Sequence, residues 1–271
     1  MSSLPEIANP QRKPYASDLS DAEWEVLKPL LPAPKGFGHP VEVDFREILN
    51  AIFYVQRTGC QWEMLPHDLP PYTTVYGYFQ KWQRKGIWQQ IHDQVRQKLR
   101  RELGRDEHST VAIADSQSVK TTGKKGEVYG FDGGKKVKGR KRHIVVDSQG
   151  LLIGVVVTEA NAPERLGAII VLDEAKEKLS RLEVIWVDQG YSGKNFANAV
   201  QQVCGEQVRV EVIERTSQTF EHLPKRWIVE RTFGWLNRFR RLSKDYEVYS
   251  EVSEAMIYGS LLRLMVRRLA I

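Results

Sequence analysis

Residues 184–193 read Val-Ile-Trp-Val-Asp-Gln-Gly-Tyr-Ser-Gly. Four apolar residues, three of them β-branched, followed at once by Asp and a glycine turn, predict a short buried strand that ends on a carboxylate. Gly190 and Gly193 then lead into a helix reaching about Val203. Working outward, Pro163 opens a helix through about Leu179 with Leu166, Ile170 and Val171 on one side. Before it, two β-rich runs at 142–147 and 151–158 flank Ser-Gln-Gly, a hairpin signal. Earlier still, Val111-Ala-Ile-Ala-Asp115 is a second apolar strand ending in Asp. After residue 203 come a strand at 208–213, a helix at 225–244 and an amphipathic helix at 252–269. The order β-β-β-α-β-α-β-α predicts an α/β domain in which antiparallel strands adjoin parallel ones.

The first hundred residues have a different texture. The stretch up to about Ala16 shows no periodicity and reads as a flexible tail (1–16). Ser20-Asp-Ala-Glu23 is a capping box opening a helix with Trp24, Leu27, Leu30 and Leu31. Phe45, Ile48, Leu49, Ile52 and Val55 mark a second helix ending at Gly59, and Val75, Tyr78, Phe79 and Trp82 a third that Thr73 or Thr74 can cap. Ile91, Val95 and Leu99 mark a fourth. These helices fit either a helix-turn-helix DNA-binding unit with 74–85 as reader or a plain bundle. The expected division is tail, helical domain (17–106) and α/β domain (107–271).

Composition narrows the class. With 41% hydrophobic and 27% charged residues the 271-residue chain is globular, and its formal charge of +6 permits a polyanionic partner. Cys60 and Cys204 lack any metal-ligand or disulfide spacing, which fits a reducing cytosol. The polar, proline-containing N-terminus and the short apolar runs give no sign of secretion or membrane insertion.

The basic residues cluster in two places. Between Gln117 and His143, Lys120, Lys124, Lys125, Lys135, Lys136, Lys138, Arg140, Lys141 and Arg142 face only Glu127 and Asp132, in a glycine-rich segment expected to be a flexible, phosphate-following loop. The second cluster is the helix at 225–244. There Ile228, Trp235, Phe239 and Leu242 form the expected buried stripe, and Glu230 is the one acid among Arg226, Arg231, Arg238, Arg241, Lys244 and their neighbours. Taken singly, each acid is an ordinary turn or surface carboxylate. Together, Asp115 and Asp188 at the ends of parallel strands and Glu230 on a covering helix form a hard oxygen set suited to Mg²⁺ or Mn²⁺. Such a set serves phosphodiester chemistry, in which two ions activate the attacking oxygen and stabilise the leaving one.

Seven segments, taken in order, resemble bacterial insertion-sequence transposases of the DDE class, insertion sequence five family. They are Leu19-Ser-Asp-Ala-Glu-Trp24, Arg57-Thr-Gly-Cys-Gln-Trp62, Met64-Leu-Pro-His67, Asp115-Ser-Gln-Ser118, Gly139-Arg-Lys-Arg-His143, Val187-Asp-Gln-Gly-Tyr191 and Trp227-Ile-Val-Glu-Arg231. The resemblance implies a ribonuclease-H-like mixed sheet with flanking helices, and Asp115, Asp188 and Glu230 as catalytic residues and metal ligands. It implies two Mg²⁺ ions, replaceable by Mn²⁺, transposon-end and target DNA as partners, a homo-oligomer on that DNA, and a bacterial cytoplasmic, nucleoid-associated setting. Spacings of 73 residues (115 to 188) and 42 residues (188 to 230) leave no room for a large insertion before the glutamate. Lys120, Lys138, Arg140, Lys141, Arg142, Arg226, Arg231, Arg238, Arg241 and Lys244 are the expected DNA contacts. The extended family signature would place Tyr at 223 and Lys at 237, where this chain has Leu223 and Asn237. The alternative function is a catalytically inactive relative that still recognises transposon ends, and a third is a nuclease of the same fold.

Overall fold

Small and β-branched side chains from Val111 to Lys120 make β1, the strand on which the rest of the sheet is built. The structure is a computed structural model and describes residues 4–32, 43–123, 126–213 and 224–270, with no side-chain description for residues 224–226. Antiparallel to β1 runs β3 (Val137–Asp147), in a register that sets Asp115 opposite Ile144. Parallel to β1 on its other edge runs β5 (Val184–Val187), pairing Ala112 with Ile185 and Ile113 with Trp186. Next comes β6 (Arg209–Val212), parallel to β5. On the far edge of β3, β2 (Gly130–Asp132) and β4 (Leu152–Glu159) pair in succession, completing a six-stranded mixed sheet.

The pleat sorts side chains to two faces. Ala112, Ala114, Ile185 and Val187 turn towards α5 (Glu164–Glu174) and α6 (Lys194–Cys204), forming one core with Val171, Leu172, Phe196 and Val200. Ile113, Ile144 and Val146 turn to the other face, covered by α7 (Pro224–Leu236) and α8 (Ser250–Leu269). The helical region shares this second core. It comprises α1 (Asp21–Leu27), α2 (Phe45–Thr58), α3 (Tyr72–Arg84) and α4 (Ile87–Glu102). Each packs on α8, which also packs on β4 and α7, and one apolar cluster runs from Leu19 to Val266. The expected boundary near residue 106 is therefore a change of secondary structure within one continuous core.

Local signals behave largely as expected. The Ser20 hydroxyl accepts from the Glu23 amide and the Glu23 carboxylate from the Ser20 amide. Gly59 ends α2 at φ 73°, and Gly86 stands between α3 and α4 at φ 66°. The third helix begins at Tyr72 behind Pro71, with no side-chain cap from Thr73 or Thr74. The link from α2 to α3 runs from Gly59 to Pro71, longer than the three- or four-residue turn of a helix-turn-helix.

Three expectations change. The stretch expected to be a flexible tail is tied down over its described part: Arg12 pairs with Asp18 at 2.8 Å and Glu47 at 2.9 Å, and the Tyr15 hydroxyl donates to Asp68 at 2.8 Å. Much of the glycine-rich basic segment is strand, since β1 continues to Lys120 and β3 begins at Val137; Lys124 and Lys125 lie outside the described residues. The helix expected over 225–244 stops at Leu236, and Arg240–Leu242 forms a separate 3-10 turn. Its buried face accordingly shifts to Val229, Thr232, Phe233 and Leu236, with Trp235, Phe239 and Leu242 also buried and Ile228 only partly so.

Candidate active site

Asp115 sits in the middle of β1, just beyond Ile113, where the ladder to β5 ends. Continuing that register brings Asp188, the residue after β5, alongside it. Sequence reading had ended the first strand at Asp115, but the antiparallel ladder to β3 carries β1 on to Lys120. The Asp188 carboxylate accepts from the Gly190 amide at 2.9 Å and so fixes the turn that leaves the sheet. Burial, followed by the neighbouring charge of Asp188 and in part of Glu164, lifts the Asp115 carboxyl from the usual carboxylate range to about 7.

Glu164 is the acid that sequence reading passed over. It begins α5, where the helix dipole favours a carboxylate, and its Oε1 accepts from Ser116 Oγ at 2.8 Å and Lys135 Nζ at 3.0 Å. Although burial acts to raise its pKa, these two donors hold it below the ordinary glutamate value. A methyl group added to Gly190 would stand 3.1 Å from Asp188 Oδ1 and 3.5 Å from Glu164 Oε2, so both acids face the same turn. Tyr191 is 1% exposed; burial, then Asp115, Glu164 and Asp188, drive the ionisation of its phenol far upward. Lys135 reaches back from the turn before β3 to donate to the Ser116 carbonyl at 3.3 Å, which sets an exposed ammonium beside the carboxylates. The signals for this pair were Pro163-Glu164, an acid at a helix start, and a lysine in a glycine turn.

Glu230 lies on the exposed side of α7, the helix that packs on β1 and β5. That helix is fixed by the β3–β4 hairpin tip: Thr232 Oγ1 donates to the Gly150 carbonyl at 2.7 Å and Arg231 Nη2 to the Gln149 carbonyl at 2.8 Å. Gly150 has φ 75°, and a Cβ there would meet Thr232 Oγ1 at 2.9 Å, so glycine is needed both for the turn and for the approach. The structure thus brings Asp115, Asp188 and Glu164 together. Among the described residues, no three His, Cys, Asp or Glu side chains are gathered closely enough to hold a metal ion. Mutually repelling hard oxygen donors, one of them buried, nevertheless form the kind of set that a hard divalent cation neutralises.

The expected DNA contacts divide by burial. Lys120 and Lys138 are exposed around a cavity that also includes Thr121, Phe131 and Lys136, and Lys138 lies 5.9 Å from the centre of the Tyr129 ring. Arg238 and Lys244 are exposed; Arg231 is half-buried, its guanidinium 4.7 Å from the Trp227 ring and 4.9 Å from that of Trp235. Arg226 is outside the side-chain description, as Leu223 is outside the described residues.

Arg140, Lys141, Arg142 and Arg241 are corrections, because all four are buried and spend their hydrogen bonds inward. Arg140 pairs with Asp245 at 3.0 Å and donates to the carbonyls of Val128, Glu247 and Val248. Arg142 donates to the carbonyls of Leu242 and Lys244, and burial lowers its pKa to about 10. Lys141 donates to the Ala162 carbonyl, and Arg241 pairs with Glu247 at 2.8 Å. The charge run that reads as a loop is a buried strand whose cations tie it to the segment before α8.

A carboxylate cluster at the adjoining ends of parallel strands, with a helix closing one side and lysines at the rim, is the arrangement of a phosphodiester-processing enzyme. Comparison with known proteins agrees. Residues 106–265 match the family model "Transposase DDE domain", and residues 19–92 match one described as "Putative transposase of IS4/5 family". The chain belongs to the DDE transposase family of insertion sequences. It is 31% identical over 134 residues to the "Putative transposase for insertion sequence element IS402" of Burkholderia cepacia, an alignment covering 46% of this chain and 60% of that protein. It is 30% identical over 111 residues to "Insertion element IS402 uncharacterized 16.2 kDa protein" of the same organism, covering 39% of this chain and 74% of that one. No solved structure matches it. Among the described residues no helix is long and apolar enough to cross a membrane.

Proposed function

We propose that this chain is a DNA transposase that cuts the ends of an insertion sequence and joins them to target DNA in the bacterial cytoplasm. The observation that carries the reading is the meeting of Asp115 and Asp188 at the ends of neighbouring parallel strands, where burial and like charge raise the Asp115 pKa to about 7. Asp115 and Asp188 would hold Mg²⁺ or Mn²⁺, with Glu230 as the further ligand from α7. A bound divalent ion supplies Lewis-acid stabilisation of the phosphoryl oxygens and a lowered pKa for the attacking oxygen.

The chain's own residues bind and orient the strand. Lys135, held by Glu164 and Ser116, offers an ammonium to the scissile phosphate, and Lys120 and Lys138 offer theirs to the flanking backbone. In the first step a water oxygen bonds to phosphorus and the P–O3′ bond breaks, leaving a 3′-hydroxyl and a 5′-phosphate. In the second that 3′-hydroxyl attacks a target phosphodiester and displaces its 3′-oxygen, so no covalent enzyme intermediate forms. Joining two ends calls for at least two copies of the chain. In this reading the helical region supplies end recognition.

The test is Mg²⁺-dependent cleavage and strand transfer on a duplex carrying the element's terminal repeat. Asp188→Asn should lower both by on the order of 10³-fold or more, several kcal/mol of transition-state stabilisation. Undiminished activity would overturn the assignment. End binding by the wild-type chain without any Mg²⁺- or Mn²⁺-dependent product would favour the inactive end-binding relative, and cleavage without joining a nuclease.

A further inference from the structure

Far from the β2–β3 lysines, a cavity of about 380 Å³ opens where four parts of the chain meet. Its wall carries Arg57 of α2, Arg238 just past α7, and Arg263, Arg267 and Arg268 near the end of α8, with Ser17 beside them. None of its lining residues is acidic. Two of the five arginines are already engaged: Arg263 pairs with Glu23 at 2.5 Å, and Arg57 donates to the Arg238 carbonyl at 2.7 Å. The side chains of Arg238, Arg267 and Arg268 make no ion pair with any described residue.

Basic residues in the last turn of a helix ordinarily offset its dipole, and Arg267 and Arg268 occupy that place on α8. Three observations go beyond that role. Arg268 lies flat over Trp235, its guanidinium 4.4 Å from the ring centroid, while Arg231 holds the same indole at 4.9 Å. The two cations are thus kept in place by stacking, with no carboxylate between them. Burial first, and then the like charges of Arg231 and Arg238, lower the pKa of Arg268, so the cluster gains by receiving an anion. The Ser17 hydroxyl, on the same wall, is buried and has no hydrogen-bond partner.

We infer that this arginine cavity is a second DNA site, taking a backbone phosphate a few nucleotides from the cleaved one. The inference rests on the transposase reading. Guanidinium forks match the paired oxygens of a phosphodiester, and a hydroxyl donor completes its coordination. Helix α7 connects the two places. From Glu230 to Leu236 is about 9 Å along its axis, roughly three base steps of duplex. Ser17 and Arg57 come from the helical region and Arg238 and Arg268 from the catalytic half, so a phosphate held here engages both at once.

The test is equilibrium binding of the full chain to a 30-base-pair duplex of arbitrary sequence, without divalent metal, as NaCl is varied. Replacing Arg267→Gln and Arg268→Gln together should make the slope of log K against log salt shallower by about two, roughly one per lost phosphate contact. The pair Arg267→Lys and Arg268→Lys keeps the charge and should keep the slope; it also reports on the site should the glutamine pair fail to fold. A wild-type slope in the folded glutamine pair, or the loss of slope in the lysine pair, overturns the cavity while leaving the transposase reading intact. Absence of any duplex binding by the wild-type chain overturns that reading first. A thermal shift with inorganic phosphate, in the absence of any effect of the glutamine pair on duplex binding, would mean that the cavity takes free phosphate and not DNA.

Discussion

Thr232 Oγ1 on α7 donates to the carbonyl of Gly150 at the tip of the β3–β4 hairpin, 2.7 Å away. The bond is buried, and it lies two residues from Glu230. It therefore sets the height and rotation at which α7 presents that carboxylate.

Thr232→Val keeps the shape and deletes the donor. The buried Gly150 carbonyl is then unsatisfied, which should cost about 1–2 kcal/mol in urea unfolding. Cleavage should fall further than this loss of stability explains, because Glu230 is misplaced in molecules that remain folded. Normal turnover in the folded variant would show that α7 is positioned by packing alone.

For Asp115 the sign of the pH effect follows from a folded pKa of about 7 against an ordinary value of 3.8. The native state binds the extra proton across that window, so ionising Asp115 costs stability as pH rises from about 4 to 7. Asp115→Asn should raise the melting temperature at pH 8 and leave it unchanged at pH 3. Mn²⁺ binding to the wild type should release about one proton at pH 6 and little at pH 8.5. Calorimetry in two buffers of different ionisation heat reads this directly, and equal release at both pH values would refute it.

A similar argument applies to Glu254, whose Oε1 accepts from the Val157 amide at 2.8 Å and whose pKa burial raises from 4.5 to about 8. Its ionisation removes stability as pH climbs through that range. Glu254→Gln retains the acceptor without the charge and should stabilise the chain at pH 9 by on the order of 2 kcal/mol, with no gain at pH 4. Chemical denaturation at the two pH values decides it.

Arg140 is expected to matter for folding and not for DNA. Asp245→Ala strands its buried guanidinium and should destabilise the chain by about 3–5 kcal/mol. Lys120→Gln with Lys138→Gln should leave the melting temperature within a degree or two and weaken duplex binding instead. Reversal of these effects would return the strand cations to the DNA interface.

Local chemistry is what the sequence displays most plainly. The Ser20–Glu23 box, the αL glycine after α2, the Ser-Gln-Gly hairpin and the apolar strands at 111 and 184 each depend on neighbours a few residues away. The inward turn of Arg140 and Arg142 depends on partners about a hundred residues on, at Asp245, Leu242 and Lys244, so a buried strand passes for a solvated loop. The alternation of Arg140, Lys141 and Arg142 was the available hint of extended backbone. Glu164 escaped for a similar reason: it joins Asp115 only through the crossover that returns α5 across the sheet.

The shared wall formed by α8 has a mechanical meaning. A reader and a cutter joined by a loose tether can accept many spans of DNA, but here both are faces of one solid. The chain acts as a fixed gauge: the stretch of DNA between the gripped bases and the cut phosphate must match its length, and when it does not, the DNA is what has to bend.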